Sequence, residues 1–131
     1  VSDASPGYQL TLRQTPRFLH AVVTGANSRE NVAGYFEQLL NECRGRGCRR
    51  VLLEERLEGP RLSASEAFTL AAQGALRFSG LVEAMAYVDV YAEGDTMHFA
   101  ERVAVQRAFP VRVFGSVAAA ERWLTTDART D

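Results

Sequence analysis

The chain contains no lysine: all fifteen of its basic residues are arginine. On most solvated surfaces the two residues serve alike, so this reads first as a bias of composition. A role in bidentate anion binding needs arginines gathered in a cleft. Cysteine is scarce, with Cys43 and Cys48 alone. That excludes a disulfide framework, and neither has the further Cys or His pair that zinc-ligand spacing demands. Two such thiols suit a reduced, cytoplasmic protein. Charge of one sign is also lacking, the formal net charge being -1, so no global field favours nucleic acid or an anionic membrane. No apolar run reaches the ~18 residues of a membrane-spanning helix, which argues against stable membrane insertion. No G-x-S-x-G phrase, P-loop or Ser-His-Asp order occurs, and no internal repeat.

What is present is ordinary globular composition: 131 residues, 47% hydrophobic and 24% charged, enough for one domain with a real core. Residues 1–7 are small and polar, without the charged and apolar regions of a signal peptide. They are expected to form a flexible tail, with a single domain over 8–125 and a second tail over 126–131.

Tyr8, Leu10 and Leu12 alternate with Gln9, Thr11 and Arg13, the pattern of a half-buried strand. A turn at Thr15-Pro16-Arg17 leads to a second strand, Phe18 to Thr24, ended by Gly25. Asn27 with Glu30 predicts a capping box. The helix behind it places Val32, Tyr35, Phe36, Leu39, Leu40 and Cys43 on one stripe. Arg44 and Arg46 suit its C-terminal dipole and Gly45 and Gly47 end it. Arg50 to Glu54 reads as a short strand, followed by a loop over 55–62. Ser63-Ala64-Ser65-Glu66 is a second capping box, opening a helix whose inner face is read as Ala67, Phe68, Ala71, Ala72, Ala75 and Leu76. Leu81 to Tyr91, apolar without helical period, is expected as a central strand covered on both faces. A third helix follows over Met97 to Phe109. Val111 to Phe114 is a last strand, and a final helix buries Val117, Ala120 and Leu124. The order β-β-α-β-α-β-α-β-α predicts an α/β domain: one mixed, mostly parallel sheet of about five strands with four helices, the opening hairpin supplying the antiparallel strand.

That order, with the phrases Val51-Leu52-Leu53-Glu54, Met97-His98-Phe99-Ala100-Glu101 and Val113-Phe114 leading into Ala120-Glu121-Arg122-Trp123-Leu124, resembles the SpoIIAA-like family of the STAS superfamily. The likeness is to the branch grouped with CRAL-TRIO lipid-binding domains and spans Tyr8 to about Thr125. Its motifs are packing and capping residues. In the partner-switching STAS branch a phosphorylatable Ser or Thr sits where the third strand passes into the next helix, within an Asp-x-Ser-Gly-like phrase. The corresponding stretch here, Leu57 to Ser65, lacks that phrase. The resemblance leaves Ser63 or Ser65 as phosphorylation candidates, although an N-cap explains Ser63 equally well. The lipid-binding likeness implies an apolar ligand between sheet and helices, lined by Phe68, Phe78, Met85, Met97 and Phe99. Mutual core packing is the simpler account of the same residues.

Other constellations are weaker. His98 and Glu101 at i, i+3 resemble half of a carboxylate metal site, with His20 as the one other histidine. Glu54, Glu55 and Glu58 fall where an open α/β sheet usually binds ligands, but a solvated loop with Arg56 and Arg61 as partners accounts for them. Arg44, Arg46, Arg49 and Arg50 form a basic cluster without aromatic interleaving, and they could lower the pKa of Cys48, read as the more exposed thiol beside a buried, inert Cys43. The expectation is a non-catalytic regulatory or binding module. It would need no cofactor or metal and would act on a protein partner or a small apolar, lipid-like molecule rather than nucleic acid, as a monomer or small homo-oligomer. The alternatives are a small enzyme using Glu54, Glu55 or His98, and a subunit self-associating near Trp123.

Overall fold

Alternation of Tyr8, Leu10 and Leu12 with polar residues gives strand β1, Tyr8–Gln14, half-buried on one side and exposed on the other. The computed structural model describes residues 7–59, 63–78, 80–89 and 111–127. A tight turn follows β1, in which the Phe18 carbonyl accepts from the Thr15 amide at 2.9 Å and the Thr15 hydroxyl accepts from the Phe18 amide at 3.0 Å. Strand β2, Leu19–Ala26, returns antiparallel, Gln14 facing Leu19 and Tyr8 facing Gly25. Gly25 does not end the strand as expected. It lies within it at φ +130°, where an added Cβ would stand 2.6 Å from the Gly7 carbonyl oxygen and 2.8 Å from the Tyr8 Cα. Glycine is there because β1 crosses too close for a side chain.

Helix α1, Arg29–Arg46, is capped by Ser28, whose hydroxyl accepts from the Asn31 amide at 3.1 Å. Asn27 was the expected cap; its amide instead donates to the Glu58 carbonyl at 2.7 Å, which ties β2 to the next strand. The predicted stripe holds: Val32, Tyr35, Leu39, Leu40 and Cys43 are buried and Phe36 is half-buried. Each large apolar side chain so covered contributes roughly 1.5–3 kcal/mol against the unfolded chain.

Strand β3, Arg50–Glu58, is four residues longer than the sequence pattern suggests. Helix α2, Ala64–Phe78, opens on a complete capping box: the Glu66 amide donates to the Ser63 hydroxyl and the Ser63 amide to the Glu66 carboxylate, both at 3.1 Å. Leu76 was expected to face inward but is 79% exposed, while Leu70 and Phe78 are buried. Glu66, Thr69, Gln73 and Arg77 mark the outer face at helical spacing, and Leu76 falls beside Thr69 and Gln73 on that face. Strands β4, Ala84–Asp89, and β5, Val111–Phe114, complete the sheet. A short helix α3, Val117–Arg122, capped by Ser116, runs on into a π-helical turn, Trp123–Asp127. The third helix expected over Met97 to Phe109 lies outside the described residues.

The sheet order is β1-β2-β3-β4-β5, antiparallel between β1 and β2 and parallel thereafter. Crossovers of one hand that always step in the same direction leave their helices on one face. Accordingly α1 and α2 pack against each other over Leu19, Ala21, Val23, Val51, Leu53, Leu57 and Met85. On the opposite face, α3 and the π-helical turn bring Ala120 and Leu124 onto Leu52, Ala84, Ala86 and Val88. Strand β4 is thus covered on both sides as expected, but it begins at Ala84 and not at Leu81, because the Leu81 and Val82 amides still bond back to the Phe78 carbonyl in the turn after α2. This is the single mixed five-stranded α/β sheet that the sequence order implies.

Candidate functional site

Because β3 runs on to Glu58, its acidic residues stand within the sheet and not in a loop. Glu54 is 6% and Glu55 3% exposed, which overturns the reading of a solvated loop. Alternation sends them to opposite faces. Glu54 joins the α3 face and Glu55 the α1 face.

On the first face the Glu54 carboxylate binds His20 Nε2 through Oε1 at 2.9 Å and Arg56 Nε through Oε2 at 2.5 Å. Arg13 Nη2 lies 3.4 Å from His20 Nδ1. An ionised carboxylate can only accept, so Nε2 carries the hydrogen directed at Glu54. Burial works to raise the Glu54 pKa, but the His20 N–H and the Arg56 guanidinium outweigh it and hold the carboxyl below its ordinary value. The carboxylate is ionised at neutral pH with both oxygens engaged.

On the second face the Tyr35 hydroxyl donates to Glu55 Oε2. Burial, then the neighbouring Glu55 carboxylate and Tyr87, hold the Tyr35 phenol well above its usual range. Tyr35 also stacks edge-on with Tyr8 and Phe36, at centroid separations of 6.2 and 5.1 Å. This pair fastens α1 to β3. Among the described residues every buried side-chain nitrogen and oxygen has a hydrogen-bond partner.

A third feature lies on the outer side of the helical layer. Between α1 and α2 a groove of about 150 Å³ is floored by Phe36, Leu40, Leu70, Gly74 and Phe78. Arg77 and Glu37 pair across its rim at 2.9 Å. Gly74 makes the depth, since a Cβ there would stand 3.3 Å from the Phe36 ring.

Of the five side chains expected to line an apolar site, Phe78 borders this groove, while Met85 belongs to the core beneath the helices. Met97 and Phe99, like His98 and Glu101, lie outside the described residues, as do Arg61 and the side chains of Phe68 and Ser65. Ser63 is exposed with its hydroxyl held in the capping box, 3.3 Å from the Glu66 carboxylate. The basic cluster is largely paired: Arg46 with Glu42 at 2.9 Å, Arg49 and Arg50 with Glu83 at 3.4 and 2.8 Å. Arg50 also donates to the Leu124 carbonyl. Among the described residues no cluster of three or more His, Cys, Asp or Glu could hold a metal ion, and no helix is long and apolar enough to cross a membrane.

Sequence reasoning missed the His20–Glu54 and Tyr35–Glu55 pairs. A signal exists for the first: His20 interrupts the apolar run Phe18 to Val23, and a polar residue inside a buried strand needs a partner.

No protein-family model matches the chain, and no curated protein matches it. Among solved structures it is similar to the crystal structure of an uncharacterized protein of the DUF3478 family with a SpoIIAA-like fold, from Shewanella loihica PV-4. The identity is 17% and the TM-score 0.56, over 95% of this chain and 98% of that one. At that identity the likeness speaks for architecture, and with the strand order and the two covered faces it establishes that the chain has the SpoIIAA-like α/β fold.

Proposed function

We propose that this chain is a non-catalytic binding module of the STAS type that takes an apolar side chain of a protein partner into the α1–α2 groove. The observation that carries this reading is the groove itself: an aromatic and aliphatic floor of Phe36, Leu40, Leu70 and Phe78, rimmed by a charged pair. Its size selects the class of occupant. Small-molecule sites usually enclose about 300–1,000 Å³, whereas about 150 Å³ suits one large side chain better than a lipid. Charged rims around apolar centres are also the anatomy of protein interfaces. The buried carboxylates support the same reading, because Glu54 has both oxygens engaged by His20 and Arg56, an arrangement suited to holding strands.

Two-dimensional amide NMR with isopropanol and phenol, minimal mimics of aliphatic and aromatic side chains, tests the proposal. Shifts should cluster over Ala33 to Leu40 and Leu70 to Phe78. Clustering around Glu54 to Arg56 would overturn it in favour of an enzyme working at that end of the sheet. A native mass exceeding the denatured mass would instead identify a resident small molecule and favour the lipid-binding alternative.

A further inference from the structure

Helix α1 ends in a Schellman turn. Gly47 sits at φ +66°, and its amide and that of Cys48 both donate to the Cys43 carbonyl, the second at 3.1 Å. In this motif the residue after the left-handed one folds back onto the residue whose carbonyl is captured, and the two side chains usually make an apolar contact. Here both contact positions are cysteines. The motif therefore sets two thiols side by side at a fixed point where α1 hands the chain to β3, both within the same buried cluster.

The two sulfurs are not equivalent. Cys43 lies fully inside the core, while Cys48, 9% exposed, reaches its margin. The Cys43 S–H, with backbone groups of Arg50 and Leu19 and the charge of Arg46, outweighs burial and brings the Cys48 thiol down to about 6. The same contact, with burial, pushes the Cys43 thiol up. The lowering comes first from the neighbouring thiol, not from the surrounding arginines as the sequence suggests, and Cys48 is less exposed than expected.

We infer that Cys43 and Cys48 form an oxidisable dithiol, with Cys48 as the sulfur attacked by a hydroperoxide and Cys43 as the resolving thiol. In the first step the Cys48 thiolate attacks the peroxide. The O–O bond breaks, Cys48 becomes a sulfenic acid, and the displaced oxygen leaves as water after taking a proton. In the second the Cys43 sulfur attacks the Cys48 sulfur, the S–O bond breaks, and hydroxide leaves as water with the Cys43 proton. Two thiols and one hydrogen peroxide give one disulfide and two waters. The disulfide would pin the end of α1 to the start of β3.

Treatment of the native protein with hydrogen peroxide and measurement of the intact mass tests this. The expected result is loss of two hydrogens and of both titratable thiols, reversed by phosphine. Trypsin, which cuts after Arg44 and Arg46, should leave the fragment ending at Arg44 joined to the one beginning at Gly47. Cys43→Ala should stop at a Cys48 sulfenic acid that dimedone traps, and Cys48→Ala should leave Cys43 reduced. The wild-type measurement decides even if a variant fails to fold. Oxidation only after denaturant is added, oxygen gained on one sulfur without a cross-link, or a link between two chains would each overturn the inference.

Discussion

His20 and Glu54 sit diagonally across the β2–β3 ladder, where His20 faces Leu52 and Val22 faces Glu54, and their side chains meet at 2.9 Å on the face covered by α3. Arg56, two residues along the same side of β3, closes the carboxylate from the other end. Glu54→Gln removes the charge while keeping the shape. It should destabilise the fold by about 2 kcal/mol, the scale of a lost charge-assisted bond, read as a lower urea midpoint at unchanged slope. A loss below a few tenths would mean the pair is ornamental.

The same carboxylate sets part of the acid limb of stability. Its folded pKa lies below the ordinary 4.5, so as pH falls the unfolded chain takes up this proton first. The stabilisation is complete above the unfolded value and is lost as pH falls through the folded one. Urea midpoints from pH 7 to pH 3 should therefore fall less steeply in Glu54→Gln than in the wild type.

Tyr35 provides an independent probe of the α1 face. Its phenol is held well above the usual 10.0 by burial and by Glu55, so it should stay protonated in ultraviolet titration until the alkaline protein unfolds. Tyr35→Phe should cost about 1–3 kcal/mol, because it leaves the buried Glu55 without that donor. Ready ionisation near pH 10 with the fold intact would place Tyr35 in solvent.

Cys48 should react with iodoacetamide along a curve with its midpoint near pH 6, since the thiolate is the nucleophile and predominates above the folded pKa. Cys43→Ala removes the principal hydrogen-bond donor and should move that midpoint upward. A wild-type midpoint near the ordinary 9.0 would show that the thiols do not interact.

Gly74→Leu tests the groove. The new side chain grows from a Cβ beside the Phe36 ring into the space between the helices, and leucine is the better helix former. The variant should fold with a lowered thermal midpoint, since Phe36 must give way to a Cβ 3.3 Å from its ring, and should lose the isopropanol and phenol shifts over Ala33 to Leu40. Shifts that survive would place binding elsewhere.

The sheet was legible in the sequence because strand alternation and helix period are written in single residues: Tyr8, Leu10 and Leu12 along β1, Val32 through Cys43 along α1. The capping box at Ser63 and Glu66 is a local hydrogen-bond pattern and read equally well. The length of β3 was hidden, because its second half, Glu55 to Glu58, is rich in charge and looks like solvent-facing chain. What makes it strand is distant: His20 on β2 and Tyr35 on α1 supply the partners that let two carboxylates be buried. The orientation of α2 was legible too, since Glu66, Thr69, Gln73 and Arg77 recur at helical spacing along its outer face and place Leu76 beside them in solvent. The thiol pair was within reach, since a glycine that ends a helix between two cysteines at this spacing predicts their contact.

The strands lie side by side in the order in which they occur along the chain. Every pairing is therefore made with the strand synthesised immediately before, and none must open a gap between two neighbours already joined. The sheet can lengthen like a row of tiles laid from one end, each tile closing the edge that the previous one left bare.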